Sequence, residues 1–346
     1  MNEGRFPVKT LKTTKLGLGL AALGGLLLLA GLVAYNGFAD VARAFLTVGW
    51  GGILAVSLYH IVPVIFTALG WRSLSTRYFD GSPLLFVWLR LVREAVSNLL
   101  PVAQIGGEVV GARMLTFRGL RNGMAGASVV VDLTIEAMTL FVFTLLGLGL
   151  LALGRRDFDA VSGVVVGLGF AAPIIVAFFV AQHWGLFKLL EDWLERRAEK
   201  WGWVREMCVT GLHNSIKAIY RDRRALINGS CFHFLSWVFG AGEIWIALHF
   251  MGHGISLGQA LIIDSLSQAV RGVGFAIPGA LGVQEGGFLL VGGLMGLGPD
   301  VSLALSLVRR MRDLVLGMPS LAGWHFIEGR RLWLRVQHQA RQIDRN

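Results

Sequence analysis

Asn98-Leu-Leu-Pro101-Val-Ala103-Gln-Ile-Gly-Gly-Glu108 is answered later in the chain by Phe275-Ala-Ile-Pro278-Gly-Ala280-Leu-Gly-Val-Gln-Glu285. Each stretch has a proline after an apolar run, an alanine two residues on, loose glycines, and a glutamate seven residues past the proline. Proline removes a backbone donor and clashes with the preceding turn, while glycine leaves the backbone free to leave the helix. The flanking sequence is apolar enough for lipid. There, irregular backbone persists only inside protein or beside a wet cavity, and a carboxylate is costly without a partner or a task. Paired interrupted segments in two halves of a membrane chain point to a translocation site.

Composition places both stretches in a membrane. Of 346 residues, 54% are apolar and 16% charged, with a mean hydropathy of +0.62. Soluble domains carry about 25% charged residues, so an all-α polytopic integral membrane protein is expected. The 46 glycines suit helices that pack closely in lipid. No stretch outside the apolar segments reaches the roughly 100 residues of a typical independent domain, which leaves a single membrane domain over 1–346. The net charge of +10 collects at the two ends and in one central loop, as cytoplasmic loops of membrane proteins do, so no nucleic-acid partner is expected. Cys208 and Cys231 form no disulfide framework or metal-ligand pattern. The chain has no nucleotide-binding loop, HExxH or GxSxG, so neither cofactor nor metal is expected.

Arg5, Lys9, Lys12 and Lys15 precede an apolar run over 16–34. That run is longer than the roughly 7–15 residues of a signal core and reads as an uncleaved first transmembrane helix. Further apolar segments cover 51–70 (between Trp50 and Trp71), 84–100, 102–115, 124–153, 160–180, 227–250, 257–277 and 301–326. The expected organisation is about eight spans plus broken or re-entrant helices in two inverted repeats. The first half covers 15–182 with its break at 98–115, and the second covers 226–326 with its break at 275–297. Between them lies a cytoplasmic amphipathic connector, 183–225, and a basic cytoplasmic tail occupies 327–346. In the connector, Leu186, Leu190, Trp193, Trp201 and Val204 fall near helical spacing among charges, as in a helix lying along a membrane surface. Leu212, Ile216 and Ile219 suggest a second such helix. Basic segments at both ends, at 72–82, at 116–123 and in the connector put both termini in the cytoplasm. They also make the two template stretches run in opposite directions. The arm after Glu285, to residue 297, is short for a crossing of about 20 residues, so re-entrant hairpins fit equally well.

Fifteen charged residues fall in or beside the spans, each costing about 2.5–3.5 kcal/mol at a helix centre. They are tolerable as a connected network. Asp132 and Glu136 share a helix face, as do Arg309, Arg312 and Asp313, while Arg310 points elsewhere. Arg113 and Arg271 are further candidate cations, and arginine's planar fork suits phosphate as well as carboxylate. Arg90 and Arg310 are expected to snorkel or pair locally. His60, His233 and His249 lack metal-like spacing and read as packing or hydrogen-bonding residues.

Glu94, Asn98, Leu100-Pro101, Gly106-Gly107-Glu108 and Arg113, with Arg271, Ile277-Pro278-Gly279, Leu281-Gly282, Glu285 and Gly286, carry a family resemblance. Over about 15–326 the chain resembles the flippase-like transmembrane domain of the lysylphosphatidylglycerol synthetase family, in particular its short stand-alone branch associated with hopanoid biosynthesis. The resemblance implies a bacterial inner-membrane protein that moves lipids between leaflets, with lipid- or hopanoid-synthesis proteins as companions. The larger members carry a catalytic domain after the membrane region. Only 327–346 follow the last span here, so no aminoacyl transfer is expected.

The preferred expectation is a lipid translocator. Pro101 and Pro278 break the helices, Glu108 and Glu285 line the groove, and Arg113, Arg271, Arg309 and Arg312 receive a phosphate or balance the carboxylates. Glu108, Asp132, Glu136 and Glu285 are the candidate proton carriers. The rival expectations are an intramembrane head-group transferase using Asp132 and Glu136 as acid and base, and a non-transporting scaffold for lipid-synthesis enzymes. The small-residue-rich helices also permit a homo-oligomer.

Overall fold

The computed structural model describes residues 37–100, 105–154, 211–274 and 277–343, with isolated positions between 23 and 35. Pro101, Cys208, most of the first span, the 160–180 span and the 183–210 part of the connector lie outside the described residues. Those described form an all-α membrane protein: α1 (Phe38–Ser75), α2 (Pro83–Leu99), α3 (Ile105–Phe117), α4 (Asn122–Gly154), α5 (Leu212–Tyr220), α6 (Arg223–Phe250), α7 (Leu257–Val273), α8 (Val283–Leu294) and α9 (Pro299–Ile343). A 3-10 turn, Pro278–Ala280, lies between α7 and α8. By length and composition α1, α4 and α6 can cross a membrane. The basic tail prolongs α9 as one continuous helix.

These elements are one pattern used twice. α1 begins after Gly37 (φ +87°) and is bent at Gly49 (φ +60°). α5 begins after Gly211 (φ +77°), and the step from α5 to α6 takes the place of that bend. α2 and α7 both run 17 residues. Both are capped by a serine, Ser82 or Ser256, whose side chain accepts a backbone N–H of the first turn, from Leu85 or Gln259. The second half thus reaches back to Gly211, into the stretch assigned from sequence to the connector. Leu212, Ile216 and Ile219 are buried against Leu74, Ala127, Val131 and Ile135, so this stripe faces protein and not a membrane surface.

The halves pack as a two-fold pair. α1 lies on α9 and α6 on α4; α2 lies on α9 and α7 on α4. α1 and α6 form the central contact, and they are antiparallel. Gly52 meets Phe250, Tyr59 meets Gly242, Ser236 donates to the Pro63 carbonyl at 2.9 Å, and Ser73 donates to that of Ala225 at 3.3 Å. A Cβ on Gly242 would come within 2.3 Å of the Tyr59 hydroxyl, so only glycine allows this approach. Equivalent helices that run antiparallel require an axis perpendicular to them, which is the geometry of an inverted repeat.

The broken elements are short. α3 has 13 residues and α8 has 12, about 20 and 18 Å of helix against a hydrocarbon core of about 30 Å. Neither is long enough to cross by itself. The breaks meet at the two-fold: Gly279 sits so close to the end of α2 that a Cβ there would lie 2.9 Å from the Asn98 carbonyl. Outside this centre, large apolar side chains lie on the surface. Leu58, Leu84 and Val273 are each about two-thirds exposed or more, a surface suited to lipid and not to water.

Candidate functional site

Where the halves meet, a cavity of about 320 Å³ is lined from α1, α2, α3, α4, α6, α7 and α9. Its wall is charged. On the α2 side, Arg90 forks onto Glu136 (2.7 and 3.1 Å) and reaches Glu94 (2.9 Å). Arg93 holds Asp132 at 2.8 Å, bonds Glu108, and lies 4.4 Å above the Trp71 ring. His233 from α6 closes on Asp132 at 2.8 Å. On the α9 side, Arg309 pairs with Asp264, and Arg312 with Glu243 and Asp313. His60 joins the two sides, with Nδ1 2.6 Å from Glu243 and Nε2 3.2 Å from Glu94. Charges removed from water are tolerable only when paired and hydrogen-bonded in this way.

The halves differ in polarity. Asp132 and Arg309 stand at equal distances after their template glutamates, as do Glu136 and Asp313. Arg90 and Asp264 likewise stand at equal distances after Ser82 and Ser256. The contact between Arg90 and Asp132 (3.8 Å) is therefore repeated by Asp264 and Arg309 with the signs exchanged.

The two template glutamates also part company. Glu108 sits in the first turn of α3, lines the cavity, and pairs with Arg93. Glu285 is fully buried and does not line the cavity. It accepts the Gly282 N–H (2.7 Å), the Ser306 hydroxyl (2.9 Å) and two bonds from Arg310 (2.6 and 3.0 Å). Arg310 also donates to the Gly279 carbonyl at 3.2 Å. The expectation that Glu285 lines the groove is corrected: four donors consume its oxygens, and it locks the second break. In the first half, Leu133 occupies the place of Arg310, and it lines the cavity.

Other expected residues fall as follows. Pro278 is buried in the 3-10 turn, beside Ala280 at φ +47°. Glu136, Arg271, Arg309 and Arg312 line the cavity; Asp132 is sealed beneath it, and Asp313 faces a side recess with Asn98 and Glu94. Arg271 donates to Asn98 at 2.9 Å and has no carboxylate within ion-pair distance among the described residues, with its Nε buried and unbonded. Arg113 is half-exposed and pairs with Glu328 at 2.9 Å, so it neither faces the cavity nor balances a template glutamate. Arg90 does pair locally, with Glu94, but it also binds Glu136 on α4, and Arg310 binds Glu285 on α8, so neither snorkels and both are hubs. His60 and His233, read from sequence as packing or hydrogen-bonding residues, are bonded into the network. Their position in mid-span was the available signal; their partners lie on other helices. Among the described residues no His, Cys, Asp and Glu cluster suits a metal ion.

The family model for the lysylphosphatidylglycerol synthase TM region matches residues 17–320. A UPF0104 membrane protein of Methanothermobacter thermautotrophicus is 27% identical over 288 residues, covering 75% of this chain and 80% of its own. No solved structure matches the chain. A match over most of the sequence, carried on an all-α membrane fold, makes this chain a member of the lysylphosphatidylglycerol synthase transmembrane-region family.

Proposed function

We propose that the protein moves lipid headgroups across the membrane, taking them through the charged cavity between its two inverted halves while acyl chains remain in lipid. The observation that carries this reading is the cavity's position, at the C-terminal ends of α2 and α7 where the chain leaves the helix, walled by both repeats. Its 320 Å³ would hold about ten waters, room for a phosphate and a small substituent. Arg271, the lining arginine without a carboxylate partner among the described residues, is the natural receiver of that phosphate. The family description, a membrane region named for a lipid synthase, fits the same reading. We place the protein in a bacterial cytoplasmic membrane with both termini inside, and a hopanoid-type lipid stands beside phospholipids as candidate cargo.

The transferase reading asks Asp132 and Glu136 to act as acid and base. Asp132 is held by Arg93 and His233, and Glu136 by the fork of Arg90, which weighs against free proton exchange at either.

The test is transbilayer movement of headgroup-labelled phospholipids, and of a hopanoid-type lipid, in proteoliposomes. Wild type should accelerate movement and Arg271→Ala should slow it at equal folded protein. Folded wild type that moves none of these lipids would overturn the reading in favour of the scaffold.

A further inference from the structure

His60 stands where ion pairing alone does not account for it. Its Nε2 faces Glu94 at 3.2 Å, but its Nδ1 has two neighbours of opposite character: the Glu243 carboxylate at 2.6 Å and Nη1 of Arg312 at 3.0 Å. A neutral imidazole carries one N–H and one lone pair, whereas the imidazolium carries two N–H groups. With its proton on Nε2, the neutral ring donates to Glu94 and accepts from Arg312. When protonated, it donates to Glu94 and Glu243 and turns a like charge toward Arg312. Two acceptors share no hydrogen bond, so the 2.6 Å contact with Glu243 belongs to the protonated state. The neutral state requires Glu243 to draw back onto Arg312. The two states differ in where Arg312 belongs.

The surroundings favour a second charge state. The cluster sets six arginines against eight carboxyl groups, so a proton on His60 adds the sign in shorter supply. His233 is sealed against Asp132 with no exposure, whereas His60 lines the cavity and is 14% exposed. Water therefore reaches His60. The charged groups around it are Glu94, backed by Arg90, from α2; Glu243 from α6; and Arg312 with Asp313 from α9, while Tyr59 on its own helix turns toward Gly242.

We propose that His60 is a proton-binding site that exchanges Arg312 for Glu243 at Nδ1, so that each proton taken from cavity water releases Arg312 to the phosphate of an anionic lipid headgroup. The proposal rests on the translocator reading. Asp313 keeps Arg312 anchored through Nε and Nη2 (3.2 and 2.6 Å), Nη1 keeps one N–H on Glu243, and its other N–H is freed toward the cavity. Loss of the proton to water restores the lone pair, draws Arg312 back to the ring, and lets the headgroup go. The proton is thus a second cargo, bound with the lipid and released with it.

The first measurement is proton uptake by purified protein in weakly buffered detergent on addition of short-chain phosphatidylglycerol, followed with a pH indicator. Wild type should take up about one proton per chain, fewer with phosphatidylcholine, and H60Q none. E94Q removes the carboxylate at Nε2 and should weaken proton affinity about tenfold, moving the midpoint about one unit lower; it also serves if H60Q does not fold. Lipid binding without proton uptake, uptake retained in H60Q, an unmoved midpoint in E94Q, or no binding of phosphatidylglycerol at any pH would each overturn the proposal. Vesicles then separate the two readings. Lipid movement that ignores an imposed pH difference sinks the proton site alone. Lipid-linked uptake without any movement sinks the translocator and leaves the site.

Discussion

The break around Glu108 and the break around Glu285 share a template and serve opposite ends. At Glu285 an arginine from the following helix, a serine and a backbone N–H fill both carboxylate oxygens, and the same arginine holds the turn that makes the break. At Glu108 the equivalent position on the following helix is Leu133, and the glutamate has Arg93 from the preceding helix. One break is closed and the other opens onto the cavity. Duplicated architecture can therefore divide its labour: one copy supplies a rigid abutment, and the other, relieved of that duty, carries the accessible polar site.

The sharpest way to break this contrast is to remove the lock. Arg310→Met leaves the sealed Glu285 carboxylate unpaired and should cost about 3–5 kcal/mol, read as lost folded yield and a lower melting temperature in detergent. A variant that folds as wild type would show that Glu285 is not the abutment. Exchanging Asp264 and Arg309 tests the swapped polarity. Either single neutralisation should cost about 3 kcal/mol, while the double exchange should recover most of that loss in the same melting measurement. Recovery of nothing would mean that each charge answers to other neighbours. Leu133→Arg gives Glu108 a partner from the side where Glu285 has one; it should cut lipid movement about tenfold, equivalent to about 1.4 kcal/mol on the barrier, with folded yield retained. Unchanged movement would place the route elsewhere. Smallest of all, Arg113→Ala breaks only its half-exposed pair with Glu328 and should shift stability by less than about 1 kcal/mol without altering movement.

Much of this was legible in the amino-acid sequence, for physical reasons. Composition declares the solvent, and prolines and glycines beside a carboxylate declare the breaks, because lipid punishes irregular backbone so heavily. Their repetition, with basic loops, implies opposed halves. What stayed hidden was partnership. Helical spacing says which charges share a face of one helix, and it set Arg310 apart from Arg309 and Arg312 correctly; it does not say that the lone face meets Glu285. For Arg90 spacing showed only the local partner Glu94, because its other carboxylates, Glu136 and Asp132, lie on another helix. The stripe of Leu212, Ile216 and Ile219 looked like a membrane-surface helix because amphipathicity does not distinguish a protein face from a lipid face; packing on α4 decides it. Arg113, five residues past Glu108, was drawn in by its neighbourhood in sequence, and it pairs with Glu328 away from the cavity.

The exchanged signs of the Arg90–Asp132 and Asp264–Arg309 contacts have an electrical consequence. A two-fold axis lying in the bilayer plane makes identical dipoles cancel along the bilayer normal. Reversing one of them makes those components add. Those two contacts alone would then leave a moment across the membrane, assembled from groups that a symmetric duplication would have left silent. A full charge moved through the membrane potential exchanges about 2.3 kcal/mol per 100 mV, so even a fractional shift of these guanidinium groups would make the resting voltage of the cell a force upon the site.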